Sequence, residues 1–221
     1  MTYKPKFLTP AEGGLGASTT ATSGKVLRGD GTNWIASTPT FPTTAGTTGT
    51  VLRSDGTNIV NSTAFTIGST GIMGNTAQPV LFAKIGTTVT NVTGDGTLYT
   101  ILFDTVVSQQ GSNYNSGTGT YTIPVTGYYL VVCNVVYAGV ISSHTTGVIK
   151  SGGTHNFITQ FGPFQSADAS GNVTGTVNFI RSFTASDTLT ITTTISGGTK
   201  VVDLVGEDFG VHSLLNIALI C

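Results

Sequence analysis

The sequence is poor in charged residues. Asp, Glu, Lys and Arg make up only 9% of the residues, whereas a typical globular domain has roughly 25%. Because a long solvent-facing helix needs such residues, the composition argues against helices. The formal net charge is −1, with 9 Lys and Arg in 221 residues, too few to neutralise a row of phosphates. Nucleic acid is therefore not an expected partner.

Cysteine and long apolar runs are also scarce. Cys133 and Cys221 are the only cysteines, which gives neither a disulfide framework nor a zinc-ligand spacing. The longest purely apolar run, Tyr128 to Cys133, is far too short to span a bilayer. The first residues, MTYKPKFLTPAEGG, lack the apolar stretch of a signal peptide. We therefore expect no membrane insertion. We also expect that the protein is assembled inside a cell and released with a particle.

Patterns for catalysis are missing as well. The sequence has no nucleophile elbow, no phosphate-cradling loop and no paired carboxylates beside a base. His144, His155 and His212 are too far apart to form a recognisable metal site, and we expect them on strand surfaces or at subunit contacts. The sequence therefore predicts neither an enzyme nor a bound cofactor.

The polar positions are filled by Thr, Ser, Asn and Gly, which favour strands and turns and so predict an all-β fold. In DTLTITTTI, from Asp187, apolar residues alternate with threonines, as in a strand with one buried face. The segment VTGTVNFIRSF, from Val173, alternates in the same way. The sequence from about residue 75 to residue 221 reads as one such domain.

Two further segments are apolar on both faces: GYYLVVCNVVYAGV from Gly127 and VHSLLNIALIC from Val211. A two-layer sandwich buries only one face of each strand. The second face needs another cover, and in a small β domain an identical subunit provides it most simply. The pattern therefore predicts a homo-oligomer.

Residues 24–74 contain an internal repeat, in which GKVLRGDGTNWIAST from Gly24 matches GTVLRSDGTNIVNST from Gly49. Each copy has two apolar pairs around an Asp-Gly turn, too little to bury a core alone. We predict an intertwined trimeric shaft, with a flexible stalk as the alternative. The predicted shaft-packing residues are Val26, Leu27, Trp34, Val51, Leu52 and Ile59.

The segment before the repeat, FLTPAEGGLGASTTATSG, and the repeat motif LRGDGTNW resemble stretches of phage tail-fibre and head-fibre proteins. This resemblance implies that residues 1–23 attach the chain to a particle. Arg28, Gly29 and Asp30 also spell the integrin-binding tripeptide. Since the second copy has Ser54 at the middle position, the tripeptide is better explained as part of a turn.

The region around ILFDTVVSQQGSNYNSGTGTYTIPVTGYYLVV resembles the globular-head family of complement component C1q, which is related in fold to tumour necrosis factor. The signature positions of that family, in order, are occupied here by Phe103, Gln109, Tyr114, Tyr121, Gly127 and Tyr129. The spacing matches without a gap, although Gln109 and Tyr121 depart from the preferred residue types. The resemblance covers residues 79–221 and is densest from Phe103 to Leu130.

The resemblance implies a ten-stranded jelly roll that forms a homotrimeric knob at residues 75–221. It also implies a set of trimer or core aromatic positions: Phe103, Tyr114, Tyr121, Tyr128, Tyr129 and Tyr137. Some members of the family bind calcium in loops, so the acidic cluster of Asp203, Glu207 and Asp208 is a calcium candidate. An ordinary solvated loop is the favoured interpretation of that cluster.

These observations predict a trimeric virion fibre on the virion surface. A capsid or tail protein would hold the N-terminus, and the knob would bind a host-surface receptor or glycan. The alternatives are a purely architectural capsid-decoration or surface-layer protein, and a bacterial lectin-like module. The candidate receptor loops begin at Ser108, Ser151, Phe164 and Ser196, and the sequence leaves open which of them face outward.

Overall fold

The computed structural model shows a chain of β-strands and turns, which confirms the all-β prediction. It describes residues 24–29, 34–44, 46–47, 49–71, 73–75, 77–153, 156–207 and 213–220, with only the backbone at 34, 63 and 64. The chain divides into two compact units, Met1–Thr76 and Ala77–Cys221. The predicted attachment segment, residues 1–23, lies outside the described residues.

Both 25-residue repeats fold as β-hairpins. The strands of this unit are Leu27–Gly29 (β1), Trp34–Ala36 (β2), Thr50–Ser54 (β3), Ile59–Ile67 (β4) and Met73–Asn75 (β5). The first repeat pairs β1 with β2, and the second pairs β3 with β4, which also pairs with β5. In the second turn, Asp55 Oδ1 accepts hydrogen bonds from the N–H groups of Thr57 and Asn58, at 2.9 and 2.7 Å. The first turn, with Asp30, lies outside the described residues.

The segment that follows the first repeat is joined to the turn of the second. Asn58 Oδ1 accepts hydrogen bonds from the backbone N–H of Thr40, at 2.9 Å, and from its hydroxyl, at 2.7 Å. The N–H of Ile59 in turn donates to the Thr40 carbonyl, at 2.9 Å. An isolated two-stranded hairpin is only marginally stable in water. The Asn58 side chain therefore couples one weak hairpin to the next.

The C-terminal unit is a sandwich of two antiparallel sheets. Its strands are Val80–Lys84 (β6), Val89–Thr93 (β7), Tyr99–Thr100 (β8), Thr105–Gln110 (β9), Tyr114–Asn115 (β10), Thr120–Thr122 (β11), Gly127–Ala138 (β12), Thr146–Gly153 (β13), Phe157–Phe161 (β14), Val173–Phe183 (β15), Thr188–Ser196 (β16), Val202–Leu204 (β17) and Leu214–Leu219 (β18). A seven-stranded sheet has the order β7-β17-β12-β18-β6-β9, with β15 also paired to β12. A six-stranded sheet has the order β10-β11-β16-β13-β14, with β8 also paired to β16. Short segments such as β8 and β10 explain why there are more strands than the ten implied by the resemblance.

Strand alternation determines what enters the core between the sheets. Along β16, Leu189, Ile191, Thr193 and Ile195 are buried and the intervening threonines are half-buried, as predicted. Along β12, Tyr129, Val131, Cys133, Val135 and Tyr137 are all fully buried. The buried hydroxyl of Tyr137 is paired with the Thr193 hydroxyl, at 2.6 Å. Burial raises the pKa of the Cys133 thiol, which therefore stays protonated and packs as a small apolar group.

The two ends of the sandwich are distinguished by where the chain enters. Strand pairing brings Val80, Gly127, Phe183 and Leu219 to one end, where the Leu219 N–H donates to the Pro79 carbonyl at 3.1 Å. We call this the proximal end, because the chain enters the unit here. The opposite, distal end has the last residues of β12 and β7, the first of β15, and the loops at residues 94–98, 139–145, 162–172 and 197–201.

We predict that Asn58→Ala uncouples the two hairpins, because the N–H and hydroxyl of Thr40 lose their shared acceptor. The loss of these two hydrogen bonds corresponds to about 1–3 kcal/mol. Limited proteolysis of the full chain should show faster cleavage within residues 37–47. Thr57→Ala is the matched control, since Thr57 is exposed and uses only its backbone N–H in the turn. Equal cleavage rates in the two variants would contradict the coupling.

Candidate binding surfaces

The outer face of the seven-stranded sheet is formed by the side chains that point away from the core. On β12 these are Tyr128, Leu130, Val132, Asn134, Val136 and Ala138. Pairing places Leu130 beside Ile180 of β15 and Ala218 of β18, and places Val80 of β6 beside Ala218. The outer face therefore has an apolar row that crosses four strands.

Large apolar side chains of this face are open to solvent in the single chain. Tyr128 is 52% exposed, Leu130 37%, Ile180 62% and Ile220 48%. All four lie toward the proximal end. The distal half of the same face is more polar, with Asn134 on β12 and Thr174 and Thr176 on β15. The large exposed apolar side chains of the face thus lie in its proximal half, whereas in the distal half the apolar Val136 is buried and Ala138 is half-buried.

The predicted aromatic positions divide between the core and this face. Phe103, Tyr114, Tyr121, Tyr129 and Tyr137 are buried inside the unit, while Tyr128 is on the outer face. The hydroxyl of Tyr114 accepts a hydrogen bond from the Phe103 N–H at 3.1 Å. Burial is the larger effect on Tyr114 and raises its pKa to about 12. Tyr114 therefore stays protonated near neutral pH and contributes to the stability of the core.

At the distal end, three loops meet around His144. Its Nδ1 accepts a hydrogen bond from the Ile141 N–H at 3.0 Å, and its Nε2 lies 3.0 Å from the Thr199 carbonyl. The first contact makes Nδ1 an acceptor, so the proton of the neutral ring is on Nε2 and is donated to Thr199. A Cβ added at Gly94 or Gly198 would lie within 2.9 Å of the ring. Glycine at both positions leaves room for the imidazole.

The expectation that His144 lies on a strand surface is wrong. The residue is fully buried in the 139–145 loop, because hydrogen bonds to both ring nitrogens compensate for its burial. His155 and His212 lie outside the described residues. Ser213 is a second buried polar residue that sequence reasoning missed, since no motif surrounds it. Its hydroxyl accepts from the Val136 N–H at 3.0 Å and donates to the Val205 carbonyl at 2.8 Å.

A groove of roughly 730 Å³ lies at the distal end of the outer face. It is lined by Val136, Ala138, Ser166, Asp168, Asn172, Val173, Thr174 and Val205. The 162–172 loop, which includes the single-turn helix Pro163–Ser166 (α1), forms one wall. A second pocket of roughly 480 Å³ is lined by Ser112, Asn113, Tyr114, Asn115, Thr118, Thr120 and Thr122.

The topology separates the four candidate receptor loops. The segments from Phe164 and Ser196 lead to the distal end, whereas the segment from Ser151 leads to the proximal end. Three segments also begin within strands rather than loops, because Ser108 is in β9, Ser151 is in β13, where it is buried, and Ser196 is the last residue of β16. The distal loops are therefore the ones farthest from where the chain enters.

The calcium candidates have other partners. Asp203 Oδ1 accepts a hydrogen bond from the Asn91 N–H at 2.7 Å, and Glu207 forms an ion pair with Lys84 at 2.5 Å. Asp208 lies outside the described residues. In the part of the chain that the structure describes, no three His, Cys, Asp or Glu side chains are grouped as metal ligands. None of the described helices is long and apolar enough to cross a membrane.

The predicted shaft residues lie on the hairpins of the first unit. Val26, Leu27 and Leu52 are exposed, whereas Val51 and Ile59 are half-buried. Trp34 is in β2, and its side chain is not among the described ones. The repeats thus present apolar side chains to the surroundings of a single chain.

The antiparallel two-sheet sandwich is a jelly roll similar to that of the C1q domain. The sequence model of the C1q domain family matches residues 84–174, which confirms the resemblance and includes its densest part. The match does not extend to residues 1–76, where the resemblance to fibre proteins stays a prediction. Comparison with curated proteins gives no match.

Solved structures similar to this chain include the globular domain of zebrafish complement 1qA protein, with 17% identity and a TM-score of 0.45 over 65% of this chain and 98% of that chain. Murine APRIL has 13% identity and a TM-score of 0.44 over 65% and 99% of the two chains. The PRD1 vertex protein P5 has 12% identity and a TM-score of 0.44 over 65% and 97%.

We predict that His144→Ala loosens the distal loops. The Ile141 N–H and the Thr199 carbonyl lose their partner, and a cavity replaces the ring, so the free energy of unfolding should fall by about 2–4 kcal/mol. Hydrogen exchange should become faster at residues 94–98, 139–145 and 197–201. Ser142→Ala, at an exposed position of the same loop, should leave exchange unchanged. Unaltered exchange in the His144 variant would show that the ring does not hold these loops.

Proposed function

We propose that this protein is the subunit of a homotrimeric virion fibre whose C-terminal knob binds a receptor or glycan on the host surface. Residues 1–23 attach to a capsid or tail protein, residues 24–74 form the shaft, and residues 75–221 form the knob. The protein acts by binding and has no catalytic role. The apolar outer face of the seven-stranded sheet is the observation that supports this proposal most strongly.

The exposure of that face explains why a single chain is an incomplete unit. Burial of this face would stabilise the assembly by on the order of 25 cal/mol for each Å² of apolar surface removed from water. The side chains that would be buried are Tyr128, Leu130, Ile180 and Ile220. Monomeric proteins rarely leave such contiguous apolar patches open. Sister subunits that pack by this face around a three-fold axis would cover it. The polar distal half would then stay accessible.

The first unit supports the same assembly. Leu27, Leu52, Ile67 and Met73 are exposed on its small sheets, and the described part of a single chain supplies no layer to cover them. Three chains side by side would supply one another's missing neighbours, as repeat arrays do along one chain. The fibre-like sequence of the repeat supports a virion location.

The direction of the chain supports binding through the distal loops. The chain enters the knob at its proximal end, so the distal loops are the part of this unit farthest from the point of entry. His144 holds three of these loops in a fixed arrangement, which lowers the ordering cost of binding a partner. Three tethered knobs would also raise the effective concentration of each contact. Weak individual contacts would then give avid binding.

We predict that Ile180→Asp dissociates the trimer, because it would place three unpaired carboxylates in an apolar contact, at a cost of several kcal/mol. Sedimentation velocity of the full chain should show the shift to slower species. Ile158→Asp is the matched control, because Ile158 is similarly exposed, at 59%, but lies on β14 of the other sheet. A shift in the control, or none in the Ile180 variant, would contradict the assignment of the contact face.

Receptor binding is tested with the fluorescently labelled full chain on a panel of bacterial species. The unaltered chain should bind the surface of at least one host, and the Ile180→Asp variant should bind at least 100-fold more weakly because avidity is lost. The Ile158→Asp variant should bind as the unaltered chain does. Absence of binding to every species would contradict the receptor role and favour the architectural alternative.

A further inference from the structure

The groove at the distal end has a rigid apolar floor. Val136 and Ala138 are the last outward-facing residues of β12, a strand that pairs along most of its length with β15 and β18. Val205 is fixed beside them, since its N–H donates to the Val136 carbonyl at 2.9 Å. The buried Ser213 hydroxyl also links these two residues. The floor is therefore formed before any ligand arrives.

The wall of the groove is polar, and hydrogen bonds within its loop fix the side chain of Asp168. Asp168 Oδ1 accepts hydrogen bonds from the N–H groups of Ser170 and Asn172, at 2.8 and 2.9 Å, and Oδ2 accepts from the Asn172 side-chain amide at 3.2 Å. The backbone of Gly171 joins this loop to the 139–145 loop that follows β12, because its carbonyl accepts a hydrogen bond from the Val140 N–H at 3.0 Å. The loop thus holds its carboxylate in place.

The charge of the lining restricts the ligand. Among the described residues of the lining, Asp168 is the one that carries a charge. The hydrogen bond from the Asn172 N–H, as the largest effect, lowers the pKa of this carboxyl. The Asp168 carboxylate is therefore ionised at neutral pH and accepts hydrogen bonds, so a ligand must supply hydrogen-bond donors. An anionic ligand would be repelled by its negative charge. A wholly apolar ligand would desolvate the carboxylate without replacing its hydrogen bonds.

We propose that this groove binds a short neutral oligosaccharide. A sugar ring offers C–H groups to the floor of Val136, Ala138 and Val205, and its hydroxyls can donate to Asp168 and exchange hydrogen bonds with Ser166, Asn172 and Thr174. The volume is within the range of roughly 300–1,000 Å³ that small-molecule sites occupy. This inference identifies the receptor of the knob as a neutral glycan, and it rests on the receptor-binding function proposed above.

The position of the groove is compatible with the assembled trimer. The most exposed apolar residues of the outer face, Tyr128 and Ile180, lie near the proximal end. Val136 is eight positions after Tyr128 along β12, which is roughly 26 Å at 3.3 Å per residue. Contacts between subunits at the proximal half would leave three grooves open at the distal end.

The test measures binding of maltotriose, cellobiose, lactose and N,N′-diacetylchitobiose to the full chain by saturation-transfer NMR and calorimetric titration. At least one saccharide should bind. Thr174→Leu, at an exposed position, and Ala138→Leu each fill the groove and should weaken binding at least tenfold. Thr176→Leu, two residues along the same face and outside the lining, should bind as the unaltered chain does. Thermal unfolding and sedimentation of each variant would verify that it is folded and assembled.

Failure to bind any of the four saccharides, or equal binding by the groove-filling variants, would overturn the proposal. Spermidine is included as a cationic probe, and its binding in place of the sugars would equally overturn it. The receptor role is judged separately on cells. If the Thr174→Leu and Ala138→Leu variants bind host cells like the unaltered chain, the receptor role stands and the groove assignment fails. If saccharide binding is lost in these variants but no cell is bound by any form, the groove assignment stands and the receptor role fails.

Discussion

The structure depends on one constraint: a two-layer sandwich covers only one face of each strand, and β12 is apolar on both. Its inner residues, from Tyr129 to Tyr137, fill the core between the sheets. Its outer residues have no third layer above them in the described part of the chain. One face of the seven-stranded sheet is therefore covered by the other sheet, and the opposite face is exposed to solvent in the single chain. Our account of the protein as a subunit of a larger assembly follows from this asymmetry.

The same sheet places two different surfaces at its two ends. Near the proximal end, Tyr128, Leu130 and Ile180 form an apolar patch suited to a sister subunit. Near the distal end, polar residues surround a groove, and loops are fixed by the buried side chains of His144 and Ser213. Long continuous strands hold the two surfaces apart. This arrangement would allow the proposed assembly and the proposed recognition to use one face without competing for it.

Much of the fold could be predicted from the sequence because strand alternation is a local signal. The alternation of β16, the two-faced character of β12 and the hairpins of the repeats all follow from neighbouring residues. The spacing from Phe103 to Tyr129 identified the family resemblance for the same reason. The burial of His144 could not be predicted, since it depends on Gly94, Gly198 and Thr199, which are brought together only by the fold. The groove was missed for a similar reason, because its lining comes from β12, β15, the loop after α1 and Val205.

Hydroxyl-radical footprinting of the full chain in solution tests the central claim most directly. Tyr128 and Tyr129 are adjacent in sequence, and within one chain the first is half exposed while the second is fully buried. If sister subunits cover the outer face, Tyr128 should be oxidised as slowly as Tyr129, and it should become reactive in the Ile180→Asp variant. Rapid oxidation of Tyr128 in the unaltered chain would show that the face is open to water and would contradict the account.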